Sequence, residues 1–190
     1  MALLLLPAAL LAAPPAPTPA EVLVEALEGV SECVVEGRTR RLEGRIRYAR
    51  EAWAARRDTL AKRVPPGDLA ALDLCFLHMD AGGRAAARAA LDARELLGDL
   101  LPQGPAGHRR AAGLASLRAW FAADGGRWSE MPDLEAAFAP LLGPPCPGPG
   151  ASAVRTALGL HREARTARNV PRCKGAARIL QDLAGGGVGV

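Results

Sequence analysis

Aromatic side chains make up only 4% of these 190 residues, and no stretch alternates apolar and polar positions over a convincing length. Strands favour aromatic and β-branched residues. Here alanine and leucine supply most of the apolar mass, and both favour helix. Lysine is nearly absent: Lys62 and Lys174 stand against 22 arginines, for a net charge of +4. A GC-rich coding sequence produces the same bias, so recognition through guanidinium groups does not follow from it. There is no GxSxG elbow or SxxK pair around Ser31, Ser116, Ser129 or Ser152, and no glycine-rich loop after a strand. The nucleophile elbow and the phosphate cradle therefore both lack their motif. The four cysteines form no CxxC or CxxCH, which removes thioredoxin-like chemistry and covalent haem. No cofactor is expected, and the reading leans away from catalysis without closing off an enzyme of an unrecognised family.

What is present begins with an N-terminal apolar run. Residues 2–13 are apolar but too few for a membrane span, which needs about 20. The run fits the apolar region of a secretory signal, and Thr18-Pro19-Ala20 offers small residues for a peptidase. Residues 1–20 are expected to be a signal peptide cleaved after Ala20, although no basic residue precedes the run. The protein would then be periplasmic or secreted. No later window is long and apolar enough to be a transmembrane helix.

Four cysteines in an exported chain suggest two disulfides. Their spacings exclude the paired short spacings of a zinc site. Of the three pairings possible for Cys33, Cys75, Cys146 and Cys173, Cys33 with Cys75 and Cys146 with Cys173 is preferred, because neighbours along the chain more often meet.

The helices announce themselves by caps, breakers and stripes. Thr18-Pro19 reads as an N-cap with proline at the first helical position. Leu23, Leu27, Val30 and Val34 follow on one face. A second stripe, Leu42, Ile46, Ala49, Trp53 and Leu60, is rotated by about 120° from the first on an ideal helix. A break or kink is expected near Gly37. Val64-Pro65-Pro66-Gly67 stops that helix, and Asp68 can cap the next. The segment from Leu69 to Met79 is very apolar and is expected to be the most buried. Further stripes follow at Ala86, Ala90, Ala93 and Leu97, at Leu114, Leu117 and Phe121, at Leu134, Phe138 and Leu141, and at Val154, Leu158 and His161, with a short last helix around Leu180. The fold class is all-α: a compact helical bundle or a short α-solenoid of hairpins, with six to seven helices. The domain runs over 21–184, with a possible sub-boundary in the Pro/Gly segment 143–150 and a disordered tail at 185–190.

Residues 68–101 resemble a tetratricopeptide repeat. Leu74, Cys75, His78, Gly82, Ala87 and Leu91 fall near that family's large, small, aromatic, glycine, alanine and aromatic positions, whereas Ala71 replaces its early tryptophan and Arg94 stands where a small residue is usual. The resemblance implies binding of a peptide or protein on a concave face, without catalysis.

Two constellations carry candidate chemistry. Cys75, His78 and Met79 occupy one helical turn and suit a soft metal such as copper(I). His161, on an apolar face, is a candidate metal or haem ligand. Each also reads as core packing. Residues 38–63 hold 10 basic and 3 acidic side chains, and Arg38, Arg41, Arg45 and Arg47 are the candidate interaction patch. Export argues against nucleic acid as the partner. The leading expectation is an exported, non-catalytic helical protein that binds a partner protein or plays a structural role, ahead of a small soft-metal or haem carrier.

Overall fold

The computed structural model describes residues 16–143 and 149–185, and among them every regular element is helical. Thr18 caps the first helix, α1 (Pro19–Val35), in a capping box: its hydroxyl accepts from the Glu21 N–H, and the Glu21 carboxylate accepts from the Thr18 N–H. Gly37, at φ +68°, then reverses the chain. The expected kink is a full break, and α2 (Thr39–Leu60) folds back antiparallel. This break is one reason the described residues hold eight α-helices and not six or seven. The others are α3 (Pro66–His78), α4 (Gly83–Leu96), α5 (Pro105–Asp124), α6 (Leu134–Leu142), α7 (Pro149–Thr166) and α8 (Val170–Ala184). Asp68 is not the cap of α3. It sits within the first turn, where its charge favours the helix dipole. Asn169 caps α8, so Pro171 starts that helix and does not break α7.

The eight helices form two groups of four with the same pairing order. In the first, α1 packs on α2 and α4, and α3 on α4; in the second, α5 packs on α6 and α8, and α7 on α8. The first and last helices of each group therefore close on one another, as in a bundle. One core contains Leu23, Leu27, Val30, Trp53, Leu60, Leu72, Phe76 and Met79; the other contains Leu134, Phe138, Leu158 and Leu180. Both α6 and α7 feed the second core, so the 143–150 segment separates no cores. The cores part at the α4–α5 connection, where Ala87, Leu91, Leu117 and Phe121 make a small cluster of their own. Residues 144–148, 186–190 and the first 15 residues of the expected signal peptide 1–20 lie outside the described residues.

The very apolar helix α3, expected to be the most buried, is not. In α3, Leu72 and Phe76 face inward, but Leu74 and Leu77 are 55% and 59% exposed. The helix is an outer one, packed mainly on α4, and among the described residues no element covers its far side. Its position is fixed by a clasp to α2. Trp53 stacks on Phe76 with centroids 4.8 Å apart, and its indole N–H donates to Asp73 at 3.0 Å. The Arg57 guanidinium donates twice to the same carboxylate, at 2.8 and 2.7 Å.

Candidate functional site

The expected soft-metal ligands do not converge. Met79 is fully buried in the first core, and His78 is exposed at the end of α3. Cys75 is half-buried, and burial pushes its thiol up in pKa, with Asp92 adding to the effect. His161 lies in the other group, on the buried face of α7. No group of three or more His, Cys, Asp or Glu side chains is disposed to hold a metal among the described residues.

Cys33, Cys75 and Cys173 are free thiols. The expected Cys33–Cys75 bridge is not formed, because α4 packs against both α1 and α3 and stands between them. Cys173 is buried with its Sγ 4.0 Å from Met131 Sδ, and burial raises its pKa too. Cys146 lies outside the described residues. The two buried serines, Ser31 and Ser116, donate to carbonyls four residues back on their own helices, at 3.3 and 2.9 Å. They are spent locally.

The expected arginine patch divides. On an α-helix of about 100° per residue, Arg41 and Arg45 share one flank of α2, and Arg47 lies on the other with Arg50 and Arg57. The Arg45 side chain lies across Gly29 of α1, whereas Arg47 and Arg50 border the groove facing Met79. Arg38 precedes the helix and pairs with Glu36 at 2.9 Å, and Arg50 pairs with Asp80 at 2.6 Å. What remains is two separate exposed strips.

Arginines with unpartnered donor atoms concentrate elsewhere, in a cleft of about 880 Å³ between α4 and α5 where the two four-helix groups meet. Its floor is apolar: Leu91, Leu114 and Phe121. These side chains are there because α4 and α5 each carry a second apolar stripe that faces the opposite group. Five arginines line the walls, Arg88, Arg94, Arg110, Arg118 and Arg127, with Asp92, Glu95, Asp99 and Glu130. Arg118 bridges Asp92, at 3.1 Å, and Glu95; Arg127 pairs with Glu130 at 3.0 Å. Arg94 donates to Glu28 at 3.0 Å, and Arg110 only to the Pro102 carbonyl, at 2.8 Å. Arg88 makes neither an ion pair nor a hydrogen bond among the described residues.

Burial makes this arrangement costly. Arg94 is 3% exposed, and its Nε and Nη1 have no protein acceptor. Burial works against its charge, and Glu28 and Glu32 support it. Arg88, Arg110, Arg118 and Arg127 each also hold a buried Nε without an acceptor. Six of the nine buried, unpartnered side-chain N and O atoms among the described residues thus belong to this one cleft. An orphaned buried donor costs on the order of 1–3 kcal/mol, and the unpartnered donors of the described residues gather chiefly in this cleft. Chemically it can accept an anion on its guanidinium groups and an apolar body on its floor. No activated nucleophile lines it.

Sequence reading passed over this site. In the sequence Arg88 points away from the stripe Ala86, Ala90, Ala93 and Leu97, and Arg94 marks only a departure from the repeat pattern. Leu91, well off the main apolar stripe of α4, was the one visible sign that this helix has a second neighbour. Comparison with models of known protein families, with curated proteins and with solved structures gave no match.

Proposed function

We propose that this chain is a non-catalytic binding protein that takes a segment of a partner protein into the cleft between its two helical groups. The observation that carries this is the gathering of unpartnered guanidinium donors around an apolar floor. Ligand sites are concave, largely apolar and fitted with a few convergent polar groups, and they favour the boundaries between packing units. The volume of about 880 Å³ lies in the usual range for such sites. The likeness of residues 68–101 to a tetratricopeptide hairpin points toward the same class of activity. Export to the periplasm or cell exterior belongs to this reading as well. With three cysteines free, it rests on the N-terminal apolar run alone.

The test is affinity capture with the wild-type chain and with Arg88→Glu, both checked for helicity by circular dichroism. A partner held by the wild type and lost by the charge-reversed cleft supports the reading. Partners held equally by both overturn it, and charge reversal of Arg41 and Arg45 then asks whether the α2 flank is the binding surface.

A further inference from the structure

The charge changes along the cleft, from Arg88 and Arg127 at one end, past Asp92 and Glu95, to Asp99 and Arg110 beyond them, and the first of these changes specifies a ligand. At one end, Arg88 on α4 and Arg127 beyond α5 converge on Gly125. A Cβ built on that glycine would meet Arg127 Nε at 3.1 Å and Arg88 Nη2 at 3.2 Å, which holds the two guanidinium groups to about 6 Å of each other. Only one carboxylate, Glu130, is paired there, so one positive charge is unmatched. One and two turns further along α4, Asp92 and Glu95 share the single Arg118, which leaves a negative charge unmatched. Leu91, Leu114 and Phe121 lie on the floor of the same cleft.

We infer that the cleft takes an extended peptide segment bearing one carboxylate and, two or three residues away, one cationic side chain, with an apolar residue between. This rests on the binding reading above. The spacing follows from geometry: Arg88 to Asp92 is a rise of about 6 Å and Arg88 to Glu95 about 10 Å on a helix of 1.5 Å per residue, against about 3.3 Å per residue in an extended chain. The one unmatched carboxylate of the Asp92–Glu95 pair disfavours a second negative charge at that position. Two nearby guanidinium groups offer a carboxylate charge-assisted, planar hydrogen bonds. Gly125 is a positioning residue here: its φ of −89° suits any amino acid, but a Cβ would press slightly on both guanidinium groups.

The experiment follows the arginine Nε–H resonances of the full chain by ¹H–¹⁵N NMR. The probe is acetyl-aspartyl-leucyl-leucyl-lysine amide. Saturable shifts are expected at Arg88 and Arg127. Replacing the aspartyl unit by asparaginyl, replacing the lysyl unit by glutamyl, or making Arg88→Gln should each weaken binding by at least about tenfold, the equivalent of one charge-assisted hydrogen bond. Gly125→Ala should weaken it severalfold with the melting temperature little changed. Equal binding of the aspartyl and asparaginyl probes overturns the proposal. So does a doubly acidic probe that binds as tightly, or inorganic phosphate that binds better than any peptide. A partner that needs the cleft, with all these peptides silent, overturns this assignment alone. A partner indifferent to charge reversal of the cleft overturns the function it starts from.

Discussion

Replacing Arg94 by methionine should stabilise the protein. Arg94 is 3% exposed and spends one donor on Glu28 at 3.0 Å, leaving Nε and Nη1 buried without acceptors. Two such orphans cost roughly 2–6 kcal/mol, against roughly 1.5–3 kcal/mol returned by one charge-assisted bond. Glu28 is 43% exposed, so solvent screening reduces that return. Buried ion pairs replaced by apolar residues of similar volume are commonly neutral to stabilising by about 1–4 kcal/mol. The structure therefore predicts a gain of about 2 kcal/mol for Arg94→Met, or roughly 4–8 °C for a chain of this size. Glu28→Gln should act in the opposite direction, because it weakens the support of a buried charge. Its cost is about 2 kcal/mol, below that of a fully buried pair because Glu28 is half-exposed and Glu32 remains nearby. Thermal and urea unfolding followed by circular dichroism at neutral pH measures both. A loss of more than about 1 kcal/mol in Arg94→Met would refute the argument. It would mean that Arg94 is a net brace between α1 and α4 and that its donors are satisfied.

Three further outcomes follow. Burial, and then Arg165, hold the His161 imidazole below its usual pKa, and its Nε2 is buried without an acceptor. The unfolded chain then binds the extra proton first, so stability should fall as pH drops from about 6.5 toward the lower folded value, and His161→Leu should flatten that part of the curve. The Arg57 hydrogen bonds hold the Asp73 carboxyl below its usual range. The clasp should therefore fail only as pH falls through that lowered value, and Asp73→Ala should cost about 1 kcal/mol at neutral pH, the pair being partly exposed. Intact mass of exported protein should show Thr18 retained, since cleavage after Ala20 would remove the cap of α1 and expose a helix whose Ala20 is buried. Thr18→Ala should cost about 1 kcal/mol in thermal unfolding.

Helix type and most helix ends were legible because each is a local event. Thr18 and Glu21 form a capping box three residues apart, Gly37 takes a conformation that glycine adopts freely, and Pro65-Pro66 can only end one helix and begin another. Burial was legible where a narrow stripe is covered by its neighbours, as with Leu23, Leu27 and Val30 of α1 between α2 and α4. It failed at α3, where a run of apolar residues has only one side covered. A stripe records what a helix can bury, and the number of neighbours is decided by the rest of the chain. The same limit explains the cysteines. Cys33 and Cys75 each border an apolar face, but α4 between them is a tertiary fact that spacing along the chain does not contain.

The cleft was missed for a different reason. Its arginines come from α4, from both ends of α5 and from the turn after it, and no window along the chain brings them together. They also look ordinary in a chain with 22 arginines, where each has an innocent explanation as a solvated side chain. What distinguishes them is burial without a partner, a property of the assembled walls. The two helical groups must separate somewhere, because α1 already occupies one face of α4 and α8 one face of α5. With those faces taken, α4 and α5 meet only over the small contact of Ala87, Leu91, Leu117 and Phe121. The gap that opens beside that contact is lined by whatever the helices present at its edges. Arginine there is the costly choice for stability, since leucine or methionine would close the same gap against Leu114 and Phe121. Among the described residues, five guanidinium groups gather at the boundary between the two helical groups, and unfolding of Arg94→Met would measure what one of them costs the fold.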